Sequence, residues 1–497
     1  MAVYCVIIHR MDREKVACDL LALLGARGVL HEEADLALYE YDGSIEKGRP
    51  DFVVFPQTTA QVAAIARISA REQVPLTPRG AGTGLSGGSV ADQGGITVAM
   101  NRMNQILEVD PLNLRAVVQP GVVNADISAA VARYGLYYVP DPSSQRACTI
   151  GGNVAENSGG PHCLAYGVTT NHTLGLEVVL PNGEIIRTDV NAPGYDLTGI
   201  LVGSEGTLGI VTEIVIRLMP LPESVKTLLV TFATVEAASE AVSAIIADGT
   251  VPAAIEMMDN TAIIAVEAAK HCGYPTDAGA VLLIDVEGLV DGLADLVDHI
   301  GDICHANGAS EVRIAQSSQE RDKYWAGRKG AFGAMGRLAP SYYVQDGVIP
   351  RSKLPAVLRQ VSEIGARYDL RIANVFHAGD GNLHPLILFD DRDEALTAKV
   401  IEAGNEIIQA CIDAGGSITG EHGVGLEKRD LMARLFSAAD LDAMARVKTC
   451  FNPDGLLNPC KQFPATKMCL EISHKRRAGI RKPVKPAANV LGGMPIP

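Results

Sequence analysis

Two histidines seven residues apart, His377 and His384, bracket the segment His-Ala-Gly-Asp-Gly-Asn-Leu-His, and a Glu421-His422 pair stands between Gly420 and Gly423. Imidazoles and carboxylates ligate divalent metals, and an imidazole also moves protons near neutral pH. The first segment reads as a β-hairpin with Asp380-Gly381 as a two-residue turn. Residues whose numbers sum to 761 then face each other, and 377 and 384 are such a pair, with Cβ atoms about 5 Å apart on one face. Two histidines and a carboxylate on one ion leave a coordination position open, as catalytic zinc sites do. An ordinary hairpin with two hydrogen-bonded histidines carries the same pair, and spacing alone leaves both readings open.

A second group of residues could hold a phosphate. Pro78-Arg-Gly-Ala-Gly-Thr-Gly-Leu-Ser-Gly-Gly88 follows an apolar segment and contains G-x-G-x-x-G at 82, 84 and 87. A Rossmann loop requires a helix straight after these glycines, and Gly87, Gly88, Gly94 and Gly95 deny it. Successive backbone N–H groups can still cradle an anion, with Arg79 adding charge. Polar, glycine-rich segments recur at Pro142-Ser-Ser144, Thr149-Ile-Gly-Gly-Asn153, Asn157-Ser-Gly-Gly160 and Gly203-Ser-Glu-Gly-Thr-Leu-Gly209. With the first loop, the stretches 142–160 and 203–209 make three such places, which suit one long polar ligand. A glycine-rich connector is the plainer alternative for any one of them.

These groups need a scaffold, and the composition bounds it. The chain has 497 residues, of which 50 are Gly, about 10% against about 7% in average proteins. At roughly 150 residues per domain it holds two or three domains. Hydrophobic residues at 47% and charged residues at 20% exclude a disordered or fibrous chain. A net charge of −15 argues against nucleic acid as the partner. No run of about 18 apolar residues is present, and no positively charged segment precedes the short apolar start, so a cytoplasmic protein is expected, at most peripheral at the inner face of the membrane. The ten cysteines are scattered, without a C-x-x-C pair, which fits reduced thiols and no iron–sulfur cluster.

From about 50 to 220, short apolar strands alternate with amphipathic helices. Phe52–Phe55, Val74–Thr77, Ile96–Met100, Ala116–Val118 and Ile210–Leu218 read as strands. Thr58-Thr-Ala-Gln61 is a capping box opening a helix to about Glu72, and a helix from Asn124 ends at Gly135. Pro220-Leu-Pro222 breaks the pattern and marks a boundary. Residues 223–410 mix helices and strands, and 411–464 reads as helical. The tail from 466 holds seven Lys/Arg and one Glu, so the first 465 residues carry a net −21. Such a tail is expected to be mobile or to dock a partner or an anionic membrane surface.

Six ordered segments, PRGAGTGLSGG, TIGGNVAENSGG, VGSEGTLGIVTE, NVFHAGDGNLHPLI, GEHGVGLEKR and FNPDGLLNP, resemble the FAD-linked oxidase family whose FAD domain is shared with vanillyl-alcohol oxidase and para-cresol methylhydroxylase. The resemblance runs from about 45 to 464 and is nearest to the FAD-binding subunits of glycolate oxidases, with D-lactate and D-2-hydroxyglutarate dehydrogenases as relatives. It implies an α+β fold: an FAD-binding domain of two subdomains over 1–221, a cap domain with an antiparallel sheet over 222–410, a helical segment over 411–464 completing the active site, and a basic tail over 465–497. It assigns FAD to Pro78, Arg79, Gly80, Ala81, Gly82, Thr83 and Gly84, to Pro142, Ser143, Ser144, Thr149, Gly152, Asn153, Ser158, Gly159 and Gly160, to Glu205, Gly206 and Ile210, and to Asn458. Thr83 stands where some members link FAD covalently through a His, so noncovalent FAD is implied, with Cys148 as a packing residue.

The resemblance also places a divalent metal, zinc with manganese or iron as alternatives, on His377, His384 and Glu421. His422 becomes the base that takes the substrate hydroxyl proton, an imidazole expected to titrate near neutrality. Arg328 becomes the clamp on the substrate carboxylate. Relatives acting on hydroxyglutarate carry a Thr and a Lys where this chain has Phe332 and Val344, which implies a small 2-hydroxy monocarboxylate, glycolate or D-lactate. Electrons would pass to iron–sulfur and second flavoprotein-like subunits. A self-sufficient D-lactate dehydrogenase and a non-catalytic FAD-binding subunit are the alternatives. Relatives carry Asn-Pro-Gly-Lys where this chain has Asn458-Pro-Cys-Lys461, so strain or an altered turn is expected at Cys460.

Overall fold

The computed structural model describes residues 11–465; the apolar start and the basic tail lie outside them. The fold is α+β. A four-stranded sheet runs in the order Val29–Leu30, Phe52–Val54, Ile96–Ala99, Leu76–Arg79, its last three strands parallel. The helix Thr59–Glu72 makes the crossover between strands Phe52–Val54 and Leu76–Arg79. Thr58 caps it by accepting from Gln61 N, but the Gln61 side chain reaches Gln57 N instead of closing the box. Its Val62, Ile65 and Ile68 join Phe52, Val54, Leu76, Ile96 and Val98 in one core. The third strand begins at Leu76, later than expected, because Pro75 has no N–H for the ladder.

A five-stranded antiparallel sheet follows, ordered Ile106–Asp110, Arg115–Val118, Ile210–Arg217, Thr173–Val179, Ile185–Asp189. Strand Ile210–Arg217 alternates buried and partly exposed residues, so one face packs on a core with Ile127, Val131 and Ile150. After the short strand Met219–Pro220 the chain enters a large antiparallel sheet. Its centre is Ala309–Ile314, Ser224–Phe232, Ala280–Gly288, Ala254–Asp259 and Arg371–His377. The run Ala280–Val286 is buried on both faces. Leu282, Ile284 and Val286 join one core with helices Val235–Ala247, Leu293–Ala306, Leu354–Tyr368 and Glu394–Asp413. Val281 and Leu283 join the other, with helices Asn260–Lys270 and Ser318–Lys329.

Residues 411–464 are not a continuous helical segment. Helix Glu394–Asp413 ends there, residues 414–428 are irregular, and helix returns at Met432–Leu435 and Ala438–Phe451. Bare backbone is the cause: a Cβ on Gly416 would stand 1.8 Å from Val348 O, and one on Gly420 1.8 Å from Asn382 Nδ2. The reduced-thiol expectation holds for Cys18, Cys148, Cys163, Cys272, Cys304, Cys411 and Cys450, but Cys460 is disulfide-bonded. Cys460 also keeps a left-handed backbone, φ 61°, in a turn held by Arg429 donating to its carbonyl (2.7 Å) and Lys461 Nζ donating to Val90 O (2.6 Å). Such a conformation costs a non-glycine residue roughly 1 kcal/mol or more. Among the described residues no helix is long and apolar enough to cross a membrane.

Candidate active site

The two histidines share a face, though not through the turn expected. His377 pairs with Asn382 and Asn374 with Pro385, so facing numbers sum to 759 and the loop is the four residues 378–381. The register has slipped by two positions, which preserves side-chain parity. His384 is therefore the diagonal neighbour of His377, and the rings meet at 5.1 Å between centroids. The loop closes through Asp380 Oδ1, which accepts from Asn382 N at 3.0 Å, and through Gly381, whose φ of 80° and contact with Ile349 O exclude a side chain.

Glu421 brings the third group. Its Oε1 lies 3.0 Å from His377 Nε2, 3.3 Å from His384 Nε2 and 3.8 Å from His422 Nε2. Glu421 and His422 sit on the irregular turn because Asp346, fully buried, gathers its amides: Gly420 N, Glu421 N and His422 N all donate to that carboxylate. Lys428 Nζ (3.1 Å), Thr419 Oγ1 and Asn382 Nδ2 complete its shell. Burial opposes ionisation of Asp346, but Lys428 and the nearby imidazoles hold its carboxyl well below the usual range.

The charges of this cluster are strongly coupled. Burial disfavours charge on His377, yet Glu256 and Glu421 raise its pKa well above the ordinary value. Burial likewise opposes charge on Glu421, but His377 and the other imidazoles bring it down to about 2. His384 Nε2 is buried with no hydrogen-bond partner. Two imidazole nitrogens and a carboxylate oxygen, converging and incompletely paired, are a donor set that fits a divalent metal. His377 Nδ1 faces Glu256 Oε1 at 2.7 Å, the carboxylate–histidine arrangement that orients a metal ligand. Asp346, His384 and His422 form a second converging triple.

His422 does not titrate near neutrality. Burial, offset by Asp346, lowers its pKa to about 4, so it is neutral at pH 7 and free to accept a proton. Arg328, on the helix Ser318–Lys329, is buried rather than on the surface. Its NH2 stands 2.6 Å from Glu256 Oε2, within ion-pair distance but outside hydrogen-bond alignment, and its Nε also lacks a partner. Buried guanidinium donors left open are costly unless an anion meets them. Lys329 docks the same helix by donating to Asp141 at 3.1 Å, and His162 stacks on Trp325. Phe332 lies edge-on to His384 with centroids 6.1 Å apart, and Val344 packs in the core.

A cleft lies between the three glycine-rich segments. No helix follows Arg79; the chain loops through 80–88 and returns as a parallel strand. Pro78, Arg79, Gly80, Thr149, Gly152, Glu205, Gly206 and Ile210 line the cleft. A Cβ on Gly80 would come 2.4 Å from Thr149 Oγ1, and one on Gly206 2.4 Å from Pro78. Thr149 Oγ1 itself is buried without a partner. Bare walls and an orphaned hydroxyl fit a long polar cofactor.

Arg79 and the other expected cofactor residues also hold their own segments together. Arg79 folds back on its own loop, against Gly82, and donates to Tyr41 O and Ser89 Oγ. Of the rest of that loop, Gly84 O accepts from Gly43 N, Ala81 is exposed and Thr83 partly exposed. Pro142 and Ser144 carbonyls close turns on Gln145 and Cys148, beside Ser143. Asn153 Oδ1 accepts from Asn124, and Ser158 O from Thr169. Gly160 abuts Asp141, while Gly159 touches Cys163 and Glu421, so this segment runs from the cleft to the histidine cluster. Asn458 Nδ2 donates to Gly88 O and Glu205 O, strapping two glycine loops together.

Sequence reasoning missed Glu256 and Asp346, which position the cluster. Glu256 and Asp346 were visible as carboxylates inside apolar runs, Ala254–Asp259 and Tyr342–Asp346, and a buried charge needs a partner.

Comparison with known proteins gives the family of the chain. Residues 50–189 match the family described as FAD binding domain, and residues 221–462 that of FAD linked oxidases, C-terminal domain. The chain is 46% identical to glycolate oxidase subunit GlcD of Escherichia coli (strain K12) over 93% of each chain. It is 33% identical to a D-lactate dehydrogenase of Anaerostipes hadrus, over 84% of this chain and 90% of that one. Its fold is similar to that of p-cresol methylhydroxylase with substrate bound, at a TM-score of 0.77 and 17% identity, covering 90% of this chain and 96% of that one.

Proposed function

The chain belongs to the FAD-linked oxidase family, and on that premise we propose that it oxidises a small 2-hydroxy monocarboxylate, glycolate to glyoxylate or D-lactate to pyruvate. The observation that carries this reading is the convergence of His377, His384, Glu421 and His422 beside a buried arginine that shares Glu256 with His377. Noncovalently bound FAD would supply the hydride acceptor, and a divalent metal, zinc before manganese or iron, would supply Lewis acidity.

The protein's own part is geometric and electrostatic. Arg328 meets the substrate carboxylate with its open donors, and Glu256 fixes both that guanidinium and the His377 ring. His377, His384 and Glu421 would hold the metal. His422, neutral and buried, takes the hydroxyl proton at its ring nitrogen. Phe332 and Val344 offer no partner to a second carboxylate, which selects short acids. Steady-state dye reduction by the isolated chain, with metal analysis of the same preparation, tests the reading. Turnover of glycolate or D-lactate that tracks metal content supports it.

GlcD is named as a subunit of glycolate oxidase, and for this chain the electrons would pass to iron–sulfur and second flavoprotein-like subunits, on the cytoplasmic side of the membrane. The likeness to D-lactate dehydrogenase favours a second reading, a chain that works without partners. Dye-linked turnover is shared by both; co-purification with partner subunits separates them.

A further inference from the structure

We propose that the carboxyl group of Glu156 is a direct contact of the bound flavin cofactor, made as a hydrogen-bond donor. Glu156 ends the helix Ile150–Glu156 and lines the cofactor cleft. Its Oε2 is buried with no hydrogen-bond partner. Both oxygens lie against backbone that a side chain would obstruct: a Cβ on Gly88 would stand 2.6 Å from Oε1, and one on Gly423 2.1 Å from Oε2. Gly88 closes the first glycine loop and Gly423 follows His422, so this one carboxyl borders both the cofactor loop and the turn that carries the base.

The contrast with its neighbour is informative. Glu205 lines the same cleft and accepts from Val424 N and Gly425 N, each at 2.7 Å. Glu156 has no such donors. Burial, then Glu205 and Asp42, raise its pKa well above the carboxylate range, and Lys428 and Lys461 only partly oppose this. This favours the protonated form, and a buried carboxyl without a hydrogen-bond partner is a group awaiting one. A flavin ring offers carbonyl oxygens and ring nitrogens that accept, and it gains electron density on reduction. A donor at that edge favours the reduced form and raises the potential.

This inference rests on the cleft holding FAD and not on the hydroxy-acid reading, so its test uses dithionite as reductant. Infrared difference spectra of the full-length holoenzyme, oxidised minus reduced, are expected to show a protonated carboxylic C=O band that shifts on reduction and vanishes in Glu156→Gln. Glu156→Gln, which keeps a donor, should hold FAD within about twofold of wild type and leave the potential unchanged. Glu156→Leu, which keeps the volume, should weaken FAD binding about tenfold or more. It should also lower the potential by about 30 mV, the tenfold equivalent for a two-electron couple. Absence of the band from wild type, Leu behaving as wild type, or Gln behaving as Leu would each overturn the proposal.

Discussion

The imidazole of His422 lies flat against that of His384, with centroids 4.7 Å apart and planes 20° from parallel. One ring belongs to the proposed metal set and the other is the proposed base, so the stack fixes the distance between the two functions. Asp346 holds the backbone of the second ring through His422 N at 3.0 Å.

His422→Asn removes the proton acceptor while leaving the turn's amides on Asp346. We expect kcat to fall by roughly 10²–10⁴-fold with FAD content unchanged. Single-turnover flavin reduction at saturating substrate measures this directly. A variant within tenfold of wild type would remove His422 from the role of base.

Glu256→Gln cuts the link between Arg328 and His377. Loss of a carboxylate behind a ligating histidine lowers metal affinity by about 10–100-fold. Competition with a chelator, followed by metal analysis, reads the change. The KM for the acid should rise as well, because Arg328 loses its fixed partner.

Phe332 stands edge-on to His384, and in the proposed pocket it gives a second carboxylate no polar partner. An extra carboxylate would be buried unpaired, at a cost worth on the order of 10²-fold in discrimination. We therefore expect kcat/KM for glycolate or D-lactate to exceed that for D-2-hydroxyglutarate by about that factor. Competition kinetics with the three acids decide the order.

His162 makes a pH test of stability. Burial disfavours its cation, but Asp141, 2.9 Å from Nδ1, raises its pKa from 6.5 to about 9. A raised pKa stabilises the fold fully below the unfolded value and loses that contribution as pH rises through the folded one. Stability should thus drop between pH 6.5 and about 9, by about 3 kcal/mol at most. Thermal melts across that range show the drop in wild type and its absence in His162→Gln.

Much of this was legible in the residues. The glycine loops announced bare backbone, which lines a cleft, and the four glycines at 87–95 excluded a helix, as the strand-loop-strand of 76–99 bears out. The His377–His384 face was legible because parity survives a two-residue slip, whereas the turn itself was not. Asp380-Gly381 looks like a two-residue turn locally, but pairing with Gly347–Val348 and the contact at Ile349 O make the loop four residues long. Residues 414–428 looked helical by their neighbours, yet their glycines are there to let backbone approach Val348 and Asn382. Glu256 and Asp346 belong to no motif. Their meaning comes from partners 70 to 120 residues away, which periodicity cannot reveal.

Anaerobic mixing of the isolated FAD-loaded chain with glycolate and with D-lactate tests the central claim most directly. The account predicts bleaching of the flavin absorbance by at least one acid, slowed after chelation and restored by adding back a divalent metal. A flavin that dithionite bleaches but neither acid does, with metal present, would contradict it.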